Sequence, residues 1–313
     1  MNQKKKKLLV GWFAAGMVLA GTCSSFAKEA EPYGASLESK NRESAPVAVD
    51  VTAVYGKTAK LGSFVPLKVS LYGQSETAFT GTLFISTLES NNDDGVEEYG
   101  YSYPVEVSFG ETKTMELYVP LGQKSGKIYL TLKDKSNRTM GETSMDFDIS
   151  REENRILVGV LEKDPGKLEW LDGVSLNYGM LTSKRIEIQG EDFPEDSRGL
   201  SMFDVLIVND YDCRKFDNDQ KEAVMDWVSD GGVLLVGTGR NAEKTLGILD
   251  EKLKITTREP ETVWVGMGTE YAGDSPVETE VRLTYTEPVI TGASEQMVTD
   301  GTPLLKMKNY GKG

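Results

Sequence analysis

The sequence predicts a chain of two folded parts, an antiparallel β-sandwich over residues 47–150 followed by a doubly wound α/β domain over 151–313. Apolar and polar residues first alternate strictly in seven short runs, as strands with one buried and one solvated face require. Past Ser150 the runs become continuously apolar and interleave with helical patterns, as parallel strands covered on both faces require. Apolar residues make up 39% of the chain, and a single cysteine remains outside the leader, so the core must form by burial and not by disulfides.

Residues 1–27 carry the features of a secretory signal peptide: a basic MNQKKKK, a short apolar LLVGWFAAGMVLAG, and small residues up to Ala27. The apolar run is short for a bilayer span, so cleavage is the first reading and a retained anchor the alternative. Cys23 raises a lipoprotein reading, which Thr22 immediately before it fits poorly. The full chain has 35 basic and 49 acidic residues; residues 1–27 hold four Lys and no acid, so cleavage leaves 31 against 49, a net charge of −18. Such a surface disfavours nucleic acid as a partner. An exported protein at the outer face of the cell membrane or in the cell wall is the expectation. Residues 28–46 are polar and read as a flexible spacer.

The seven alternating runs are Val47 to Tyr55, Val65 to Leu71, Leu83 and Ile85, Val105 to Phe109, Met115 to Val119, Ile128 to Leu132, and Met145 to Ile149. Their number and spacing fit an immunoglobulin-like sandwich, although no Cys pair or Trp marks a true immunoglobulin domain. The loop LESNNDDGVEEYGY gathers Asn91, Asn92, Asp93, Asp94, Glu97 and Glu98, oxygen donors of the kind that bind Ca²⁺, at spacings that match no EF-hand. A solvated loop is the simpler reading.

In the second part RILVGVL, KRIEIQ, FDVLIVND and VLLVG read as buried strands, and PGKLEWLDGV and DNDQKEAVMDWVSDGG as helices. Ala223, Val224, Trp227 and Val228 form an apolar stripe, Asp219 with Glu222 has the form of a capping box, and Gly231-Gly232 marks the helix end. Ligands of parallel sheets sit beyond the carboxyl ends of the strands. Two loops emerge there, and they supply the candidate ligand or partner crevice: Asn209, Asp210 and Asp212 after the third strand, and Gly237, Thr238, Gly239, Arg240 and Asn241 after the fourth. Converging backbone N–H groups and Arg240 suit a small anion or an acidic side chain. GTGR is neither a Walker loop nor a dinucleotide fingerprint, and no cofactor is predicted.

The succession FDVLIVND, DNDQKEAVMDWVSDGG, VLLVGTGRN resembles the middle of a class I glutamine amidotransferase-like domain, a flavodoxin-like architecture. It resembles more specifically the exported, membrane-anchored Gram-positive envelope proteins that place such a domain after a β-sandwich. That resemblance implies a Cys at the turn after the fourth strand, with a His and a Glu later in the chain. Here the turn reads Gly237-Thr238-Gly239 and the chain has no histidine, so the resemblance implies a degenerate, non-catalytic member. Cys213, beside Arg214, lacks an imidazole to shuttle its proton.

The expected role is therefore a binding or scaffold module whose partner is an envelope protein, a glycan or a small ligand. The alternative is a hydrolase using Thr238, or Asp210 and Asp212, with or without a divalent metal. Asp217 and Asp219 would complete a carboxylate site with Asp210 and Asp212, or would simply cap the helix. From about residue 255 the pattern turns β-rich: ETVWVGMG, then Val277 to Tyr285, then PLLKMK. The final KNYGKG is a hairpin signal with no returning strand, so the chain reads as a piece of a longer protein. Its relatives of the suspected type continue into a further strand and a transmembrane helix, which would supply membrane association.

Overall fold

The structure, a computed structural model, describes residues 33–39, 46–90, 96–122, 125–149, 154–249, 253–272 and 275–313. The leader, Cys23 and the acidic loop positions Asn91 to Asp94 lie outside the described residues. The chain divides into two compact units that meet between Glu153 and Asn154.

The first unit contains strands β1 (Tyr33–Ser36), β2 (Glu38–Ser39), β3 (Val47–Ala53), β4 (Thr58–Ala59), β5 (Phe64–Gly73), β6 (Phe79–Ser90), β7 (Val96–Val107), β8 (Thr112–Pro120), β9 (Lys127–Asp134), β10 (Thr139–Asp146) and β11 (Asp148–Ile149). One sheet has the order β1-β3-β5-β8 and the other β2-β10-β9-β6-β7. Alternation places Val49, Val51, Leu67, Val69 and Leu71 of the first sheet and Leu83, Ile85, Ile128, Leu130 and Met145 of the second in one core.

Two local expectations change. Residues 33–39, read as spacer, are strand: β1 pairs with β3, and the Tyr33 hydroxyl donates to the Asp146 carbonyl at 2.9 Å and accepts from the Asp146 N–H at 2.8 Å. Phe109, counted as the inward end of a run, lies past β7 and is 62% exposed, because the turn carrying Gly110 (φ 71°) begins there.

The second unit opens with β12 (Arg155–Glu162), β13 (Ser175–Leu176), β14 (Leu181–Glu187), β15 (Val205–Asn209) and β16 (Val233–Val236), which form one sheet in the order β13-β14-β12-β15-β16. β14, β12, β15 and β16 run parallel, and β13 is antiparallel to β14. Among the described residues this unit has two α-helices, α1 (Asn218–Asp230) between β15 and β16 and the single turn α2 (Ala242–Thr245) after β16. The later strands pair antiparallel: β18 (Glu261–Ala272) with β19 (Ser275–Tyr285) and β21 (Ser294–Thr299) with β22 (Thr302–Met307) as hairpins, and β17 (Thr256–Thr257) with β20 (Pro288–Val289) across the first of them.

The doubly wound, flavodoxin-like or glutamine amidotransferase-like expectation is overturned. The structure is 51% strand and 15% helix, so a helix-rich α/β domain is absent, and with it the basis for a degenerate amidotransferase or pseudoenzyme. The reason lies in the crossovers. PGKLEWL, read as a helix, is a 3₁₀ segment (Pro165–Leu171) stopped before Gly173, whose φ is 77°. Between β14 and β15 the glycines at 190 and 199 and Pro194 break the chain into 3₁₀ turns, Gly190–Asp192 and Ser197–Leu200. Leu168, Leu171 and Leu176 still cover one face of the sheet around Ile156, Val158, Val160 and Ile207, without a helix to carry them.

α1 carries its cap two residues earlier than expected. Asp217 accepts from the Gln220 N–H at 2.9 Å, and the Gln220 side chain accepts from the Asp217 N–H at 3.2 Å, so the box is Asp217/Gln220 and not Asp219/Glu222. Its C-terminus turns at Gly231 (φ 124°), and a Cβ on Gly232 would lie 2.3 Å from the Trp227 indole. No helix among the described residues is long and apolar enough to cross a membrane.

Candidate functional site

Parallel pairing sets the carboxyl ends of β12, β15 and β16 side by side, and Glu162 and Asn209 are register partners at the ends of β12 and β15. Glu162 follows the buried apolar run Ile156 to Leu161 and is itself only 7% exposed. The Asn209 side-chain amide donates to Glu162 Oε2, and the Asp164 N–H reaches Oε1 at 3.5 Å. Burial pushes the Glu162 carboxyl above the ordinary range; the Asn209 amide, the Asp164 N–H and Lys167 oppose that shift, and Asp210 adds to it.

Asp210 begins the loop after β15 with a left-handed backbone (φ 49°). Its Oδ1 accepts from Asn241 Nδ2 at 2.6 Å, and Oδ2 lies 3.8 Å from Lys167 Nζ. Gly237 donates its N–H to Val208 at 2.8 Å, and a Cβ there would come 2.3 Å from Asn209 Oδ1. Glycine is thus needed at 237 for close approach to Asn209, and φ plays no part. Of the eight predicted crevice residues, Asn209, Asp210, Gly237 and Asn241 come together, joined by Glu162 and Lys167, which the sequence reading did not single out.

The other four have different roles. Asp212 is held by Arg214 through Nε and Nη2, both at 2.8 Å, and this guanidinium lowers its carboxyl to about 2. Thr238 accepts the Thr286 N–H at 2.6 Å through its carbonyl, and Gly239 accepts the Thr286 hydroxyl at 2.9 Å, so both bind the turn to the end of β19. Arg240 is exposed. The helix that was to focus backbone N–H groups on an anion is the one-turn α2, too short to build that site. Asp217 caps α1, and no group of three or more His, Cys, Asp or Glu side chains among the described residues could hold a metal ion. Cys213 has no exposed surface, and burial pushes its thiol up to about 12.

A groove of about 710 Å³ runs beside this cluster. It follows β16 from Gly232 to Gly239, with Leu283 and Tyr285 of β19 and Leu305 and Met307 of β22 opposite. Lys167, Arg282, Lys306, Lys308 and Lys312 line it, and among the described residues no Asp or Glu side chain does. Its volume lies within the range of about 300–1,000 Å³ common for ligand pockets.

A family model described as a domain of unknown function (DUF8726) matches residues 46–148, about a third of the chain and within the sandwich unit. No curated protein matches. Among solved structures, the sporulation control protein Spo0M of Bacillus subtilis is similar at 13% identity and a TM-score of 0.23, over 34% of this chain and 49% of that one. A β-glucosidase from Listeria innocua gives 13% and 0.26, over 33% and 16%. The CARDB domain of a Pyrococcus furiosus protein, in complex with di-metal ions, gives 11% and 0.23, over 41% and 100%. This chain therefore spans about half the length of the Spo0M chain and a sixth of the β-glucosidase. TM-scores this low transfer neither activity nor ligand to it.

Proposed function

We propose that the chain is a non-catalytic binding or scaffold module exported to the cell envelope, which holds an envelope protein, a glycan or a small ligand in the groove beside β16. The observation that carries this reading is the groove itself: a concavity of about 710 Å³ whose described lining is largely apolar with Lys and Arg as its charged residues. The chain has no histidine, and the one described thiol is enclosed and held protonated. Thr238 gives its carbonyl to Thr286, and Asp212 is neutralised by Arg214. Export rests on the leader-like residues 1–27 and the acidic balance that follows them.

The test is turnover. Purified protein is incubated with chromogenic esters, anilides and glutamine, with and without Mg²⁺ or Ca²⁺, beside Thr238→Ala. The expected result is no hydrolysis above buffer in either protein. Turnover that disappears in Thr238→Ala would replace the binding module with the hydrolase. Sequencing the N-terminus of material recovered outside cells checks export, with Lys28 the expected first residue.

A further inference from the structure

We propose that one face of the β18–β19 ribbon holds a neutral hexopyranose unit of a glycan, stacked on Trp264. This goes beyond the groove reading, because the site lies on a different surface. Directly paired residues of an antiparallel ribbon share a face, and successive residues alternate between faces. Val263 and Val265 pair with Leu283 and Val281, and Val265 has no exposed surface. The other face therefore carries Thr262, Trp264 and Gly266 with their partners Thr284, Arg282 and Glu280. Trp264 is 64% exposed there. The consecutive residues Val281 to Tyr285 line the groove, and among the described residues none of β18 does, so an occupant of the groove meets the edge of β19 and not the Trp264 face.

Polar groups stand about 7 Å from Trp264 in both directions along the ribbon, one same-face position away. On one side the Thr262 and Thr284 hydroxyls are 2.9 Å apart; one donates to the other, and the second hydrogen is left to point outward. On the other side Gly266 has no side chain to fill the floor, and its N–H donates to Asp300 Oδ2 at 2.9 Å. A Cβ on Gly266, pointing to the Trp264 face, would lie 3.3 Å from that oxygen, so the Asp300 carboxylate borders the same face. Asp300 reaches it from the two-residue turn of the β21–β22 hairpin, where Asp300 (φ 51°) and Gly301 (φ 78°) are both left-handed, as a tight hairpin demands. Glu280 and Arg282 are both exposed.

These surroundings select the ligand. Among the described residues Trp264 is the one large apolar side chain of its face, and hydroxyls, two carboxylates and a guanidinium surround it. A protein hot spot needs apolar neighbours that exclude water, and a membrane-inserting surface needs several apolar groups together. A pyranose needs neither: one side of its ring is a patch of C–H bonds that fits an indole face, and its rim is hydroxyls that both donate and accept. Charges of both signs flank the ring, which suits a neutral polyol better than an anion or a cation.

The test titrates cellotetraose, chitotetraose, maltotetraose and mannotetraose by calorimetry into the full chain and into Trp264→Ala, Trp264→Tyr and Asp300→Asn. Trp264 is exposed, and Asn keeps both an acceptor for Gly266 and the left-handed turn, so thermal midpoints should match the parent. The expected result is saturable binding of at least one tetrasaccharide, weakened about tenfold or more by Trp264→Ala and about fivefold by Asp300→Asn, and kept within about threefold by Trp264→Tyr. Binding of none would overturn the site, and so would binding that Trp264→Ala leaves unchanged, since the sugar would then sit elsewhere. A dimer in sedimentation that Trp264→Ala disperses would overturn it too, because a second copy would then cover the indole. Each of these failures leaves the groove module standing; only Thr238-dependent turnover removes that reading.

Discussion

Alkylation of Cys213 measures how far the protein is from thiol catalysis. The experiment adds iodoacetamide at pH 8 to a Cys23→Ser chain, so that Cys213 is the single target. Burial pushes this thiol up to about 12 from 9.0. At pH 8 the thiolate fraction therefore falls from roughly one in ten to roughly one in ten thousand, a loss of about a thousandfold. A more basic thiolate is also the better nucleophile; a Brønsted slope of about 0.4–0.5 returns about 15- to 30-fold of that loss. Ionisation alone leaves a net slowing of about 30- to 60-fold, and the absence of exposed surface slows the reaction further. The rate is read by mass spectrometry of quenched aliquots against the same chain in urea. It should also climb about tenfold per pH unit from 8 to 10, with no levelling near 9. A native rate within threefold of the denatured one, or a plateau near pH 9, would refute the enclosed thiol and reopen nucleophilic chemistry.

Two further outcomes follow from named contacts. Because burial raises the Glu162 carboxyl, its folded pKa exceeds its unfolded one; the penalty for ionising it is absent below the unfolded value near 4.5 and grows as pH rises through the folded value. Glu162→Gln should therefore match the parent in thermal midpoint at pH 4 and exceed it increasingly towards pH 7 in scanning fluorimetry, and a pH-independent difference would contradict this. Tyr33→Phe deletes two hydrogen bonds to Asp146 while keeping the edge contact with Phe147 at 5.4 Å between ring centres. At a net value of about 1 kcal/mol for each of the two bonds, amides of residues 33–36 should exchange about thirtyfold faster by mass spectrometry, and unchanged exchange would mean that β1 is held by other contacts.

The alternating runs were legible because burial on one face writes a period of two into the sequence, and Val65 to Leu71 is a direct copy of the inward face of β5. The parallel strands were legible for a related reason: ILVGVL, residues 156–161, is apolar throughout because both faces of β12 are covered. What covers them was not legible. Leu168 and Leu171 recur at a helical interval, but an interval of three is also that of a 3₁₀ turn, and only the neighbouring Pro165 and Gly173 hinted at the shorter structure. The amidotransferase resemblance failed on the same point, since apolar strands and one Gly-Gly specify a ladder and a helix end, not the layer that packs over the ladder. In the crevice, Asn209 and Asp210 stood out as polar residues after an apolar strand. Glu162 ends its own strand in the same way and at the same register position, a signal visible only once β12 and β15 are paired. The groove was hidden further, because its far wall comes from β19 and β22, whose place beside β16 depends on contacts such as Thr286 to Thr238.

Two main-chain contacts flank the groove, the Thr286 N–H on the Thr238 carbonyl and the Lys312 N–H on the Ser229 carbonyl, and they join positions 48 and 83 residues apart. The concavity beside β16 thus exists only while distant stretches of the chain remain docked, and detachment of either one would widen it and leave the central sheet intact. A guest bridging both walls would act as a clasp, and its arrival should be felt as resistance to cleavage in the hairpins after residue 255, well away from the strand it touches.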